Sequence, residues 1–298
     1  MKYDVVCPLA LKDVNSYYKS LNNLEKYVEV KKFVVIGNDE VKKEIEFRND
    51  SRVTFVDESL LVTYSDVYDI ISKRTKNDQS SLKRSGWYLQ QFLKLSYSLI
   101  CNDEYYILWD ADTMPICKHE MIVDGHPVFD MKTEHNEPYF ITFSRLFPNY
   151  VKRNPLSYIS EHMIVRTEIL KEMIKEIGES CLIGDVWYEK IINAINLEDI
   201  PHSGFADYET YGLYCLNKYP DLYKERSWDS LRPASRYFEY DKLRECDYEW
   251  IKKDYKAVSF EAGWKLNKIV NIICRNEFVQ KHFSCKYLLE RVLHQFTI

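Results

Sequence analysis

Over its first 115 residues the chain alternates short β-branched runs with segments whose apolar residues recur at helical spacing, and that alternation constrains the fold more than any other feature. Strands are predicted at residues 3–8, 32–37, 52–56 and 105–109, and helices at 14–27 and 41–47. A β-α-β-α-β opening places helices against both faces of its strands. The fold class expected is therefore α/β, with a mostly parallel sheet flanked by helices.

Further on, residues 65–74 are a helix candidate and the polar stretch 76–85 reads as a mobile loop. Residues 87–100 form a stronger helix with two stripes. Leu89, Phe92 or Leu93, Ser96, and Leu99 or Ile100 make a core face; Trp87, Gln90, Gln91 and Lys94, at i, i+3, i+4 and i+7, make a hydrogen-bonding face. Residues 124–127 predict a turn, 138–144 and 157–166 strands, and 168–177 a helix stopping at Gly178. A helix comes next at 185–196, then a short strand or loop at 201–205 that feeds 207–218, and a closing helix at 283–296. There is no internal repeat and no clean linker, so an acceptor-side α+β portion is expected to continue from the first half without a break.

Composition removes several classes of protein. With 298 residues, 46% hydrophobic and 29% charged, the chain can bury a full core without disulfides. Its eight Cys show no Cys-x-x-Cys pair and no His at zinc-finger spacing, and read as buried free thiols in a reducing compartment. A net charge of −5 with scattered Lys and Arg argues against nucleic acid as a partner. An acid within the first few residues argues against a signal peptide, and no stretch approaches eighteen apolar residues, so no membrane span is expected. A cytoplasmic protein, at most touching a membrane-bound acceptor, is the expectation. The 24 Tyr and 14 Phe supply planar side chains for stacking on sugars or a base, although most aromatics fill cores.

The run Tyr105-Tyr106-Ile107-Leu108-Trp109-Asp110-Ala111-Asp112-Thr113 carries the chemistry. A buried strand that stops at two acids delivers carboxylates to the carboxyl edge of the sheet, where open α/β sheets bind ligands. Side chains at i and i+2 of an extended chain point to one side. Mg²⁺ and Mn²⁺ take oxygen ligands and combine a few carboxylates with phosphate oxygens and water. Asp110 and Asp112 are thus metal candidates, the plain alternative being a turn after a strand.

With the Trp-x-x-Gln-Gln-x-x-Lys helix before it, this Trp-Asp-Ala-Asp-Thr strand end resembles GT-A-fold glycosyltransferases of bacterial and viral polysaccharide pathways, over roughly the first two thirds of the chain. The resemblance implies a Rossmann-like GT-A fold with residues 1–115 as a nucleotide-sugar-binding half and 116–298 as an acceptor-binding half. It implies that Asp110 and Asp112 bind Mn²⁺ or Mg²⁺ and the donor diphosphate, and that Lys94 is a basic donor contact. Trp87, Gln90 and Gln91 join the donor-binding set; Asp57, at the end of the third strand, either joins it or serves as a cap.

The acid-rich segment Phe205-Ala206-Asp207-Tyr208-Glu209 resembles the acceptor-side helix start of inverting GT-A enzymes, which implies a catalytic base, Asp207 first and Glu209 second. The alternative is helix capping and dipole compensation, and a retaining enzyme would need no such base. His162 is a candidate acceptor contact, with His202 and His282 as rival third metal ligands. Gly263-Trp264-Lys265 is a candidate loop over the phosphates. The function expected is metal-dependent transfer of a hexose or pentose from a nucleotide sugar to a hydroxyl of an oligosaccharide, polysaccharide or glycan. A Mg²⁺-dependent nucleotidyl- or phosphotransferase is the rival enzyme, though no Gly-rich phosphate loop comes after the first strand. A non-catalytic carbohydrate-binding protein would account for the aromatics alone.

Overall fold

The computed structural model describes residues 1–152, 155–261 and 263–292. Two compact units divide the chain. One comprises Met1–Val14, Val30–Trp109 and Met121–Ser227; the other comprises Asn15–Glu29, Asp110–Glu120 and the residues from Trp228 onward. Among the described residues eleven strands run in chain order: β1 (Tyr3–Pro8), β2 (Val30–Gly37), β3 (Val53–Asp57), β4 (Tyr105–Trp109), β5 (Thr113–Pro115), β6 (Ile122–Val123), β7 (His126–Met131), β8 (His162–Arg166), β9 (Lys224–Ser227), β10 (Ser230–Leu231) and β11 (Ala257–Ser259). Nine helices matter below: α1 (Val14–Tyr27), α2 (Asp39–Arg48), α3 (Tyr64–Thr75), α4 (Gln79–Leu82), α5 (Ser85–Ser96), α6 (Glu137–Leu146), α7 (Thr167–Glu179), α8 (Trp187–Ala194) and α9 (Asp207–Lys218).

The first unit is built on a sheet in the order β3-β2-β1-β4-β8, parallel from β3 to β4 and closed by antiparallel β8. The α/β class expected from the alternation is the class observed. Every residue of β1 and β4 is buried, which is why neither strand alternates polar and apolar residues. Local signals set the helix limits. Asn38 Oδ1 accepts the N–H groups of Glu40 and Val41 to start α2, and Asn49 ends it in the left-handed region at φ 49°. Thr63 and Asp66 form a reciprocal capping box at α3. In α7, Leu170, Met173, Ile174 and Ile177 lie on one buried stripe; each such aliphatic side chain contributes about 1.5–3 kcal/mol on burial.

A small second sheet, β6-β7-β9, belongs to the same unit. Its β6–β7 hairpin turns at Asp124 and Gly125, both with positive φ (51° and 79°), as a two-residue turn of this hand requires. The second unit holds the sheet β10-β11-β5 with its own core around Met114, Leu231, Trp250 and Val258.

Several expectations need correction. The strand expected at 138–144 is helix α6: Pro138 occupies its first turn, where a missing N–H costs nothing, and Thr142, Phe143 and Leu146 are buried at helical spacing. The loop expected at 76–85 contains α4, capped by Asp78, whose carboxylate accepts the Ser81 N–H at 2.8 Å. The long strand expected at 157–166 is reduced to β8, because Glu161 takes a left-handed φ of 64°, and Ser157 keeps only an isolated bridge to Lys132. The helix expected at 283–296 is a short turn at Cys285–Tyr287 followed by a wider one at Leu288–Val292; residues 293–296 lie outside the described residues. All eight cysteines are free thiols, but only Cys7, Cys101, Cys215, Cys274 and Cys285 are buried; Cys117 is half-buried, and Cys181 and Cys246 are exposed. Among the described residues, no helix is long and apolar enough to cross a membrane.

Candidate functional site

The carboxyl ends of β1, β2 and β3 open onto a pocket of about 530 Å³ in the first unit. Its walls are the residues that leave those strands, Pro8-Leu9-Ala10, Asn38 and Glu58, together with the start of α5. This is the edge where a parallel sheet leaves its loops free to hold a ligand, and the volume suits a nucleotide-sized molecule. Trp87, Gln90 and Tyr64 supply planar and hydrogen-bonding groups; Lys12, Lys83, Arg84 and Asp13 supply charge. Burial pushes the carboxyl of Asp13 above its ordinary range, partly offset by Lys12. Glu58 is raised by burial too, and further by the charge of Asp57.

Helix α5 divides the polar stripe read from the sequence. Trp87 and Gln90 line the pocket. Gln91 and Lys94 turn to the start of α9: Gln91 accepts the Asp207 N–H at 3.2 Å, and Lys94 Nζ lies 3.3 Å from Asp207 Oδ2 and 4.1 Å from the centre of the Tyr208 ring. All three of Gln91, Lys94 and Asp207 are buried. Gly204 makes the entry to α9 possible, since a Cβ there would sit 2.3 Å from Ile195 Cγ2. Its N–H and C=O are taken by the Tyr88 hydroxyl and Thr142 Oγ1.

Other candidates sit in different surroundings. Asp57 is not on the pocket wall; its carboxylate accepts the Ser59 N–H at 2.8 Å, and the hydrogen bonds from Ser59 hold it below the usual carboxylate range. Glu209 is buried, and its oxygens are engaged by Ser157 Oγ at 2.7 Å, the Tyr158 N–H at 2.9 Å and Lys152 Nζ at 3.0 Å. His162 opens β8 opposite Trp109, stacks on that indole at 4.7 Å, and meets Asp130 Oδ2 through Nε2 at 2.9 Å. His202 ends a 3₁₀ turn at Leu197–His202.

Asp110 and Asp112 come directly after β4 in the chain and belong to the second unit. There β5 pairs with β11, Thr113 Oγ1 meets Ser259 Oγ at 2.7 Å, and the Phe260 N–H reaches Asp112 O at 2.9 Å. Burial, then the charges of Asp110 and Glu261, push the Asp112 carboxyl up to about 7. Such a group has a surplus of negative charge around it, which a divalent cation would neutralise. Asp110 and Asp112 offer carboxylate oxygens, the donor type that a hard metal ion takes. Glu261 is also held by Arg232 Nε at 2.7 Å, and Trp264 Nε1 lies 3.4 Å from it.

Sequence reading missed Glu261 and most of the pocket wall. Reading one to three residues past each predicted strand would have found Pro8-Leu9-Ala10, Asn38 and Glu58. Glu261 has no local signal, because it reaches Asp112 only through the β5–β11 pairing.

Fold and site together define a mixed α/β protein with a ligand pocket at the carboxyl edge of a parallel sheet. Residues 4–239 match the model of a family of unknown function, DUF6492, and the chain belongs to that family. No curated protein matches it. Among solved structures, mouse xyloside xylosyltransferase 1 in its apo form is similar at 13% identity, over 89% of this chain and 99% of that one, with a TM-score of 0.43. The apo bifunctional glycosyltransferase WbbM is similar at 9% identity, over 89% of this chain and 46% of that one, with a TM-score of 0.45. Galactosyltransferase LgtC, in complex with donor and acceptor sugar analogues, is similar at 9% identity over 88% of each chain, with a TM-score of 0.42. Likeness at this level assigns no residue a role.

Proposed function

We propose that this chain is a metal-dependent glycosyltransferase that takes a nucleoside-diphosphate sugar and moves its hexose or pentose to a saccharide hydroxyl. The observation that carries the reading is the Asp110–Asp112 acid pair, with Asp112 pushed up to about 7 by burial and by neighbouring acids. A carboxyl withdrawn from water beside other acids, as Asp112 is, gains from a bound Mn²⁺ or Mg²⁺. Asp110 and Asp112 are assigned as its ligands. When bound, the ion would neutralise negative charge on a departing nucleoside diphosphate.

The pocket at the ends of β1 to β3 is assigned the nucleoside, with Trp87 and Gln90 on its wall. Asp207, the first residue of α9, is assigned as the base that takes the proton of the acceptor hydroxyl in an inverting reaction. Its Oδ2 lies 3.3 Å from Lys94 Nζ, whereas Glu209, already engaged by three donors, is assigned to holding the start of α9. Gln91 and Lys94 then act by positioning Asp207 rather than by contacting the donor, and His162 ties β8 to Asp130 of β7.

The test is release of nucleoside diphosphate from a panel of nucleotide sugars, with a saccharide mixture as acceptor, in Mn²⁺ and in chelator. Turnover should need the metal and fall at least about a hundredfold in Asp110→Asn and Asp112→Asn with the melting curve retained. Full metal-dependent turnover in either variant would remove the proposal.

A further inference from the structure

Arg84 stands just before α5, on the wall of the pocket in the first unit. Its guanidinium lies over the Trp87 ring at 5.1 Å, and its Nε exposes less than 1 Å² without any hydrogen-bond partner. No described acid forms an ion pair with it. A buried N–H left without an acceptor costs on the order of 1–3 kcal/mol, more for a charged group, so an arginine in this state is built for a partner that arrives from outside. Lys12 and Lys83 face the same pocket, and neither forms an ion pair with a described residue. Two acids, Asp13 and Glu58, share the wall with the three cations, so positive charge is in surplus there. The first turn of α5 contains no acid either, and its positive dipole end begins at Ser85. The indole under the guanidinium restricts its motion, so less entropy is lost when the fork closes on a ligand.

We propose that Arg84 is the anion anchor of this pocket: its guanidinium donates to phosphate oxygens of a nucleoside diphosphate and holds them without a divalent cation. A planar fork matches two phosphate oxygens, which an ammonium cannot do. Lys12 and Lys83 add unspecific attraction. The nucleoside part of the inference rests on the glycosyltransferase reading, while the anion anchor does not.

The experiment is titration calorimetry of the full chain in chelator with a panel of nucleoside diphosphates, the matching nucleosides, and inorganic pyrophosphate, repeated on Arg84→Ala and Arg84→Lys. Nucleoside diphosphate should bind the wild type without metal, and Arg84→Ala should weaken it by about tenfold or more, since a charge-assisted bidentate contact is lost. Arg84→Lys should recover only part of that. Because Arg84 makes no ion pair or side-chain hydrogen bond with a described residue, and loss of its contact with Trp87 is offset by removal of an unpartnered N–H, both variants should stay folded, which melting curves check. Unchanged binding in Arg84→Ala overturns the anchor, and so does binding that appears only with Mn²⁺; either leaves the glycosyltransferase reading standing. Pyrophosphate binding that depends on Arg84, in a protein that turns over no nucleotide sugar, supports the anchor while the reading fails.

Discussion

Lys94 Nζ lies 3.3 Å from Asp207 Oδ2, and both side chains are only 3% exposed. Two opposite charges withdrawn from water in this way depend on each other. Removing one strands the other, a loss of about 3–5 kcal/mol, whereas replacing both with apolar groups of similar volume is far milder. Lys94→Met should therefore lower the melting temperature sharply, and the double variant Lys94→Met/Asp207→Leu should recover much of the loss. Melting curves of wild type, single and double variants check this; a single variant as stable as wild type would show that the pair is not coupled.

In the second unit Asp247 has the opposite balance of forces from Asp112. Burial alone would raise its proton affinity, but Arg244 at 2.8 and 3.0 Å and the Gln280 amide at 2.7 Å outweigh it and hold the carboxyl below its ordinary value. A group with its folded pKa below its unfolded one contributes stability that is complete above the unfolded value and is lost as pH falls through the folded one. Denaturant midpoints should be flat at mild pH and decline once the pH drops below the ordinary carboxylate range. Asp247→Asn should be less stable at neutral pH and decline less in acid. Parallel acid slopes for the two proteins would refute this role.

How much of the fold was legible in the sequence depends on how local each signal is. The limits of β1, β4 and α1 come from mostly apolar runs and a helical stripe, and the structure returns those same limits. The Asp-x-Asp end of β4 is equally local. Helix α6 reads as a strand because Tyr139-Phe140-Ile141-Thr142-Phe143 has the composition of one, and only burial of Thr142, Phe143 and Leu146 reveals its 3.6 period. The split between Gln90 and Gln91 could not be read, since neighbouring residues on a helix are about 100° apart and a broad polar stripe serves two partners. Arg84 was invisible for another reason: a cation is noteworthy only when no acid comes near it, and that depends on long-range packing.

Gly212 in α9 faces the buried ring of Tyr158, and a Cβ at that position would lie 2.6 Å from Tyr158 Cδ2. Tyr158 cannot swing away easily, because its hydroxyl is tied to Glu225 at 2.6 Å and its N–H to Glu209 at 2.9 Å. Alanine normally favours a helix over glycine by about 1 kcal/mol. Here overpacking should prevail, and Gly212→Ala should be destabilised by about 1–3 kcal/mol. The urea midpoint should fall with the slope of the transition unchanged; a stabilised variant would mean that the ring yields.

Asp130 ties three strands of the first unit together. From β7 it accepts Arg226 of β9 through Nε at 2.7 Å and Nη2 at 2.9 Å, and it meets His162 of β8 at 2.9 Å. His162→Phe keeps a flat ring on Trp109 but removes the nitrogen, and should cost about 1.5–3 kcal/mol, the usual range for a hydrogen bond to a charged group. Arg226→Met should cost more, because it removes a two-pronged contact and the charge that offsets the buried carboxylate. Since both partners act on one carboxylate, their effects should not add, and chemical denaturation of the two single variants and the double variant should give a coupling energy of about 0.5–3 kcal/mol. Strict additivity would mean that the β7–β8 and β7–β9 contacts are energetically separate, and that His162 is held by its stacking on Trp109 rather than by Asp130.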